Sequence, residues 1–257
     1  MMQTAVAMPR SRAIHAYLLE AGYEFLRLLR TPSFALPTIL FPSMFYLLFG
    51  VVLSGSVRGV DAAKYLLATY SVFGVMAPGL FGFGVVVAME REQGLLTLKR
   101  ALPMPPGAYL FAQRVMAMLF AALITLLLMA IGIVLGHVRM PLENWLALLV
   151  TDILGVLPFC AIGLLIGTLV GGPGAPAVVN LIYLPMSFLS GLWLPLRFLP
   201  KFLQQTAPLW PSTHLGRIAR AMAGIGNDGR IAWHAAVLAG FALIFFLIAR
   251  RRLAQTG

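Results

Sequence analysis

Charge is scarce in this sequence: only 11% of its 257 residues are Asp, Glu, Lys or Arg, against the roughly one-quarter of a soluble globular domain. Acidic residues are fewest, 8 against 19 Lys and Arg. With 60% hydrophobic residues and a mean hydropathy of +0.91, that shortage excludes a water-facing surface over most of the chain and describes an integral membrane protein. Cysteine occurs once, as Cys160 inside an apolar run, which excludes an intrachain disulfide and a cysteine metal site. The sequence also lacks HExxH, GxSxG and GxxxxGK[ST], the spacings of a zinc protease, a hydrolase nucleophile and a nucleotide-binding P-loop. Neither catalysis nor a cofactor is expected in this chain, and any ATP would be held by another polypeptide. The four histidines, His15, His137, His214 and His234, fall in surface segments or near the ends of apolar runs, so no metal site is expected.

What is present is basic and apolar. A net charge of +11 could suggest nucleic acid, but the basic residues lie in short segments between apolar runs rather than along one face, so a nucleic-acid partner is not expected. GIGNDG, Gly224 to Gly229, matches GxGxxG without a preceding strand or a βαβ unit and reads as a turn.

A bilayer core about 30 Å thick requires about 20 apolar residues of helix. Six segments reach that length: 33–56, 65–89, 108–136, 145–170, 175–194 and 231–249. The expected fold is therefore all-α, a single transmembrane domain over 1–257 with six spans. An even number of spans puts both termini on one side. Eleven of the 19 basic residues, among them Arg27, Arg91, Arg114 and Arg250, fall on that side, which the positive-inside rule assigns to the cytoplasm. Trp145, Trp193, Trp210 and Trp233 fall at or between helix ends on the other side, as interfacial anchors. The N-terminus is not expected to be a signal peptide, because Glu20, Glu24 and Arg27 interrupt its apolar positions.

Two further segments read as amphipathic helices lying along the membrane. In 11–30, Tyr17, Leu18, Phe25 and Leu28 recur at helical spacing between charges, describing a cytoplasmic in-plane helix. In the outer region, 195–230, Leu215, Ile218, Ala219 and Met222 alternate with His214, Arg217 and Arg220, describing a helix on the outer surface. Prolines at 37, 42, 78, 158 and 185 predict kinks within the spans. The pairs Gly132/Gly136 and Gly163/Gly167 predict close helix approach. Asp152 is the one clear carboxylate within a span, expected shallow enough to reach interfacial water or an outer basic residue.

The densest charge cluster follows the second span. Glu90, Arg91 and Glu92 continue from it, Gly94 permits a change of direction, and Leu95, Leu96 and Leu98 alternate with Thr97, Lys99 and Arg100 until Pro103, Pro105 and Pro106 stop the helix. A short amphipathic helix over 90–106, lying across the inner end of the bundle, accounts for both the leucines and the rigid ending.

This stretch resembles the segment between the second and third spans of the six-helix permeases of ATP-binding-cassette exporters, the ABC-2-type transporter permeases. Glu90, Arg91, Glu92, Gly94, Leu95, Leu98 and Pro103 fit that segment. A second similarity lies in the outer region, at Ser190, Gly191, Pro195, Pro211 and Thr213, with His214 where many members carry tyrosine. The resemblance implies a bacterial cytoplasmic membrane protein in which two copies of the chain form a pathway. A separate cytoplasmic ATPase would carry ATP and Mg, and the 90–106 helix would dock into it, with Glu90, Arg91 and Glu92 as charge contacts and Leu95 and Leu98 as apolar anchors. It further implies a cavity between the second and fifth spans of the two copies, offering Tyr70, Phe73, Met76 and Phe81, then Asn180, Tyr183, Met186 and Ser187, suited to a hydrophobic or amphipathic substrate such as a drug, a lipid or a lipid-linked glycan. Membrane lipid is an expected partner as well. The competing reading is a transporter or channel driven by an ion gradient, which would depend on Asp152. A membrane enzyme of lipid metabolism is disfavoured by the missing catalytic clusters.

Overall fold

In the computed structural model, which describes residues 10–53, 60–95, 107–226 and 229–255, every regular element among the described residues is helical. Helix α1, Arg10–Leu29, is followed by α2, Pro32–Phe45, which continues as a π-helical stretch, Tyr46–Val52. Thr31 is extended at the α2 N-cap and Pro32 occupies the first turn, where a missing N–H costs nothing. Helix α3, Val60–Ala77, passes at Pro78 into a second π-helical stretch, Pro78–Val85, and then α4, Val86–Glu92. The shift in hydrogen-bond register follows from Pro78, which cannot donate to the α-helical ladder. Helix α5 is Ala108–Val134 and α6 is Leu142–Leu169. A 3-10 turn at Gly172–Gly174 leads into α7, Ala175–Leu189; α8, Lys201–Thr206, and α9, Pro211–Met222, precede the last helix, α10, Ile231–Gln255.

Among the described residues, five stretches are long and apolar enough to cross a membrane: Pro32–Val52, Ala62–Glu92, Ala108–Val134, Leu142–Leu169 and Ile231–Leu253. The sixth expected span is shorter than its sequence suggested. Helix α7 has 15 residues, about 22 Å at 1.5 Å per residue, less than the roughly 30 Å hydrocarbon layer. It ends where Ser190 and Gly191 turn the chain, Gly191 at φ +74°, a conformation that carries no steric cost only for glycine.

The stretch Ala62–Glu92 occupies the middle of the bundle and is its most buried span. Its π-helical section packs along α6, where a Cβ added at Gly163 would lie 2.5 Å from the Gly79 carbonyl oxygen and one at Gly167 would lie 2.7 Å from that of Gly84. This glycine pair therefore brings two backbones together, as its spacing predicted. The other pair receives a side chain instead: a Cβ at Gly132 or Gly136 would lie 3.0 or 3.1 Å from the Tyr46 hydroxyl.

Helix α9 corrects the expectation of a surface helix. It packs against α3, α6 and α10, and Pro211 to Gly216, Ile218 and Ala219 are buried. Its small residues and the Leu215 side chain, which sits against Gly155 of α6, let it enter the bundle. Its cations stay near the edge, where Arg220 donates to the Tyr65 hydroxyl at 3.0 Å.

Candidate functional site

The charge cluster after the second span joins four elements. Arg27 of α1 donates to Glu90 Oε1 at 2.9 Å and to Glu24 Oε1 at 2.5 Å, and Gln113 of α5 donates to the same Glu24 oxygen. Glu24, Glu90 and Gln113 are buried, while the Arg27 side chain is 44% exposed. Burial lowers the Arg27 pKa, but Glu24 and Glu90 outweigh it and hold the guanidinium above its ordinary value. Arg91 donates to the Thr168 carbonyl and, at 3.1 Å, to the Val170 carbonyl, two acceptors left open where α6 ends. Glu92 Oε2 accepts the Gly172 N–H at 2.5 Å, at the turn that opens α7. The sequence singled out these three charges but not their partners. The signal it offered was Glu24 and Arg27, three positions apart on one face of an amphipathic helix.

From Glu92 onward the chain is exposed. Gln93, Gly94 and Leu95 face outward, and Gly94 has φ +73°, the left-handed turn expected of it. Leu98 and Pro103, with the rest of 96–106, lie outside the described residues.

The residues expected to line a cavity are mostly packed within the chain. Tyr70, Phe73, Met76, Tyr183, Met186 and Ser187 are buried. Phe73 stacks on Tyr183 with ring centroids 5.0 Å apart, and the Tyr183 hydroxyl donates to the Phe73 carbonyl at 3.1 Å. Phe81 is part-buried beside Tyr183 at 5.7 Å. Asn180 alone of the eight is exposed, on an outward face of α7 with Leu181, Leu184 and Phe188.

The outer region is a hydrogen-bonded corner. Ser190 Oγ and Ser212 Oγ bond to each other, Ser190 also donates to the Met186 carbonyl at 2.5 Å, and Thr213 donates to the Ala207 carbonyl at 2.6 Å. Pro195 opens the 3-10 turn Leu196–Phe198, and Pro211 starts α9. His214 is buried, its Nδ1 2.8 Å from His234 Nδ1 of α10 and its Nε2 2.9 Å from the Pro208 carbonyl. Its pKa is lowered, first by burial and then by His234 and Arg217, with the Pro208 carbonyl opposing.

Asp152 lies deeper than expected. It is fully buried, and Thr125 Oγ1 of α5 donates to its Oδ2 at 3.1 Å. Helix α9 packs on the same helix one turn away, with Leu215 against Gly155. Among the described residues no group of His, Cys, Asp or Glu is arranged to hold a metal.

Residues 17–223 match the family described as "ABC-2 type transporter". The Bacillus subtilis (strain 168) protein named "Putative transport permease YvfS" is 27% identical over 230 residues, 88% of this chain and 92% of that one. The Escherichia coli (strain K12) protein named "Inner membrane transport permease YhhJ" is 27% identical over 176 residues, 67% of this chain and 47% of that longer protein. With its helical architecture, its membrane-length apolar helices and a match that runs from α1 to the end of α9, the chain belongs to the ABC-2 type transporter family, whose members are multi-pass membrane permeases.

Proposed function

We propose that this chain is the membrane-spanning subunit of an ATP-driven exporter, with α7 and the re-entrant corner after it serving as the fifth of six spans. Both termini lie in the cytoplasm, and α1 lies in the inner membrane surface. Two copies form the pathway, the exposed α7 face with Asn180 is turned toward the second copy, and the cargo is hydrophobic or amphipathic. The chain itself is not an enzyme; a separate cytoplasmic ATPase subunit binds ATP and Mg.

The observation that carries this reading is the three-way attachment of Glu90, Arg91 and Glu92. Consecutive residues tie the end of the second span to α1, to the C-terminus of α6 and to the start of α7. A force applied just beyond them, at the exposed Leu95 and the following 96–106 segment, is transmitted to three elements at once. This divides the motif. The triad transmits, and the part after Gly94, with Leu95, Leu98 and the Pro103 ending, supplies the contact with the ATPase.

Purification of the chain in mild detergent at native expression, with mass spectrometry of stoichiometric companions, tests the proposal. The expected companion is a protein carrying a Walker motif, lost from Leu95→Glu while thermal stability is unchanged. A stable homomer without an ATPase would overturn it and return attention to Asp152.

A further inference from the structure

A groove of about 650 Å³ runs between α6 and α10, within the roughly 300–1,000 Å³ of small-molecule sites. Leu154, Pro158 and Leu164 line one wall and Leu238, Ala242 and Phe246 the other; the short side chains of Ala161, Ala235 and Ala239 leave the space between them. From Thr151 to Leu164 the groove follows 13 steps of α6, about 20 Å, more than one leaflet of a roughly 30 Å core. The helix that forms its outer wall is barely covered by the rest of the chain: the apolar window of α10 is 11% buried.

One cation reaches this apolar groove. Arg114 lies six positions into α5, its side chain part-buried and its guanidinium 4.3 Å from the centroid of the Phe246 ring. Among the described residues it forms no ion pair; both ion pairs found there belong to Arg27. A permanently charged guanidinium partly removed from water requires an anion, and Phe246 satisfies only its face. Arg250 and Arg251, exposed at the end of α10 a turn beyond Phe246, make that end of the groove more positive still.

An apolar channel of leaflet length ending at an arginine that has no ion pair among the described residues has the chemistry of a lipid with an anionic headgroup. We propose that the groove holds one anionic phospholipid per chain, its phosphate on Arg114 and an acyl chain along α6 and α10. The site requires only that the chain lies in a membrane and is separate from the proposed cargo pathway at α7. A lipid seated there fills the gap between α10 and the bundle, so it governs how firmly the last helix is held.

Native mass spectrometry of the full-length chain, delipidated in detergent and titrated with phosphatidylglycerol or phosphatidylcholine, tests the proposal. One phosphatidylglycerol is expected to remain bound at concentrations where phosphatidylcholine does not. Its apparent affinity should fall about tenfold in Arg114→Gln and be partly kept in Arg114→Lys. Ala239→Trp fills the groove and should displace the lipid with Arg114 intact, which decides the matter if Arg114→Gln does not fold. Equal retention of the two lipids, unchanged binding in Ala239→Trp, competition by inorganic phosphate as strong as by lipid, or a dimer of chains that occupies the groove in place of lipid would each overturn it.

Discussion

Arg27 and Glu90, 63 residues apart, meet at 2.9 Å and fasten α1 to the end of the second span. Glu90 is 5% exposed and Arg27 44% exposed at the side chain, so the carboxylate has surrendered its water while the guanidinium keeps half. Removing Arg27 therefore costs more than the pair contributes, because Glu90 stays behind in the bundle. Arg27→Ala is expected to destabilise the chain by about 1–3 kcal/mol, seen as a lower melting temperature in detergent. Adding Glu90→Gln, which removes the stranded charge, should recover part of the loss, and no recovery would mean that the unpaired Glu90 carboxylate is not its cause.

Arg91 and Leu95 separate transmission from docking. Arg91→Met strips the ligands from the Thr168 and Val170 carbonyls, and hydrogen bonds from a charged donor contribute about 1.5–3 kcal/mol each. A lower melting temperature with retained ATPase co-purification is expected. If Arg91→Met folds normally but loses the ATPase, Arg91 itself belongs to the contact.

Asp152→Asn tests the competing ion-gradient reading. The amide keeps the shape of the carboxyl and can still accept from Thr125, while the option of a buried charge disappears. The ATP-driven reading expects unchanged stability and unchanged transport activity in reconstituted vesicles. Loss of transport in a folded Asp152→Asn protein would favour coupling to protons or cations.

Gly163→Ala should be damaging in a way that Gly22→Ala is not. The first would press a Cβ to 2.5 Å from the Gly79 carbonyl oxygen, backbone that cannot rotate away, whereas nothing lies within 4 Å at Gly22. Overpacking of this kind costs about 1–3 kcal/mol. A thermal-shift comparison of the two variants checks it, and equal melting temperatures would refute the backbone contact.

The His214–His234 pair makes the α9–α10 contact sensitive to acid. Pro208 offers only a carbonyl, so His214 Nε2 is the protonated nitrogen and Nδ1 accepts from His234 Nδ1–H. A second proton on His214 would set N–H against N–H, and Arg217 adds to the repulsion. The folded pKa of His214 is depressed, so below the ordinary value of about 6.5 the unfolded chain binds the proton first and stability falls as pH falls. Between pH 7.5 and 5.5 the wild type should lose more thermal stability than His214→Gln; equal losses would remove the pair as the cause.

Much of this protein was legible from order and composition. Membrane residence followed from the shortage of charge, five of the spans from the lengths of apolar runs, and the inner cluster from the crowding of Glu90, Arg91 and Glu92 in a chain with so few carboxylates. Even the approach of α6 to the second span was written in Gly163 and Gly167. These are local properties: a 30 Å apolar layer selects helix length one segment at a time. The sequence could not say which distant groups would satisfy the charges. Arg91 finding the open carbonyls of α6, Arg27 finding Glu90, Glu92 finding the Gly172 N–H and Asp152 finding Thr125 each require residues 27 to 80 positions apart to be neighbours. The same limit explains α9. Its alternation of Leu215, Ile218 and Ala219 with Arg217 and Arg220 describes an amphipathic helix equally well on a membrane surface or in a bundle, and only the opening that Gly155 leaves on α6 decided between lipid and protein as the partner of its apolar face.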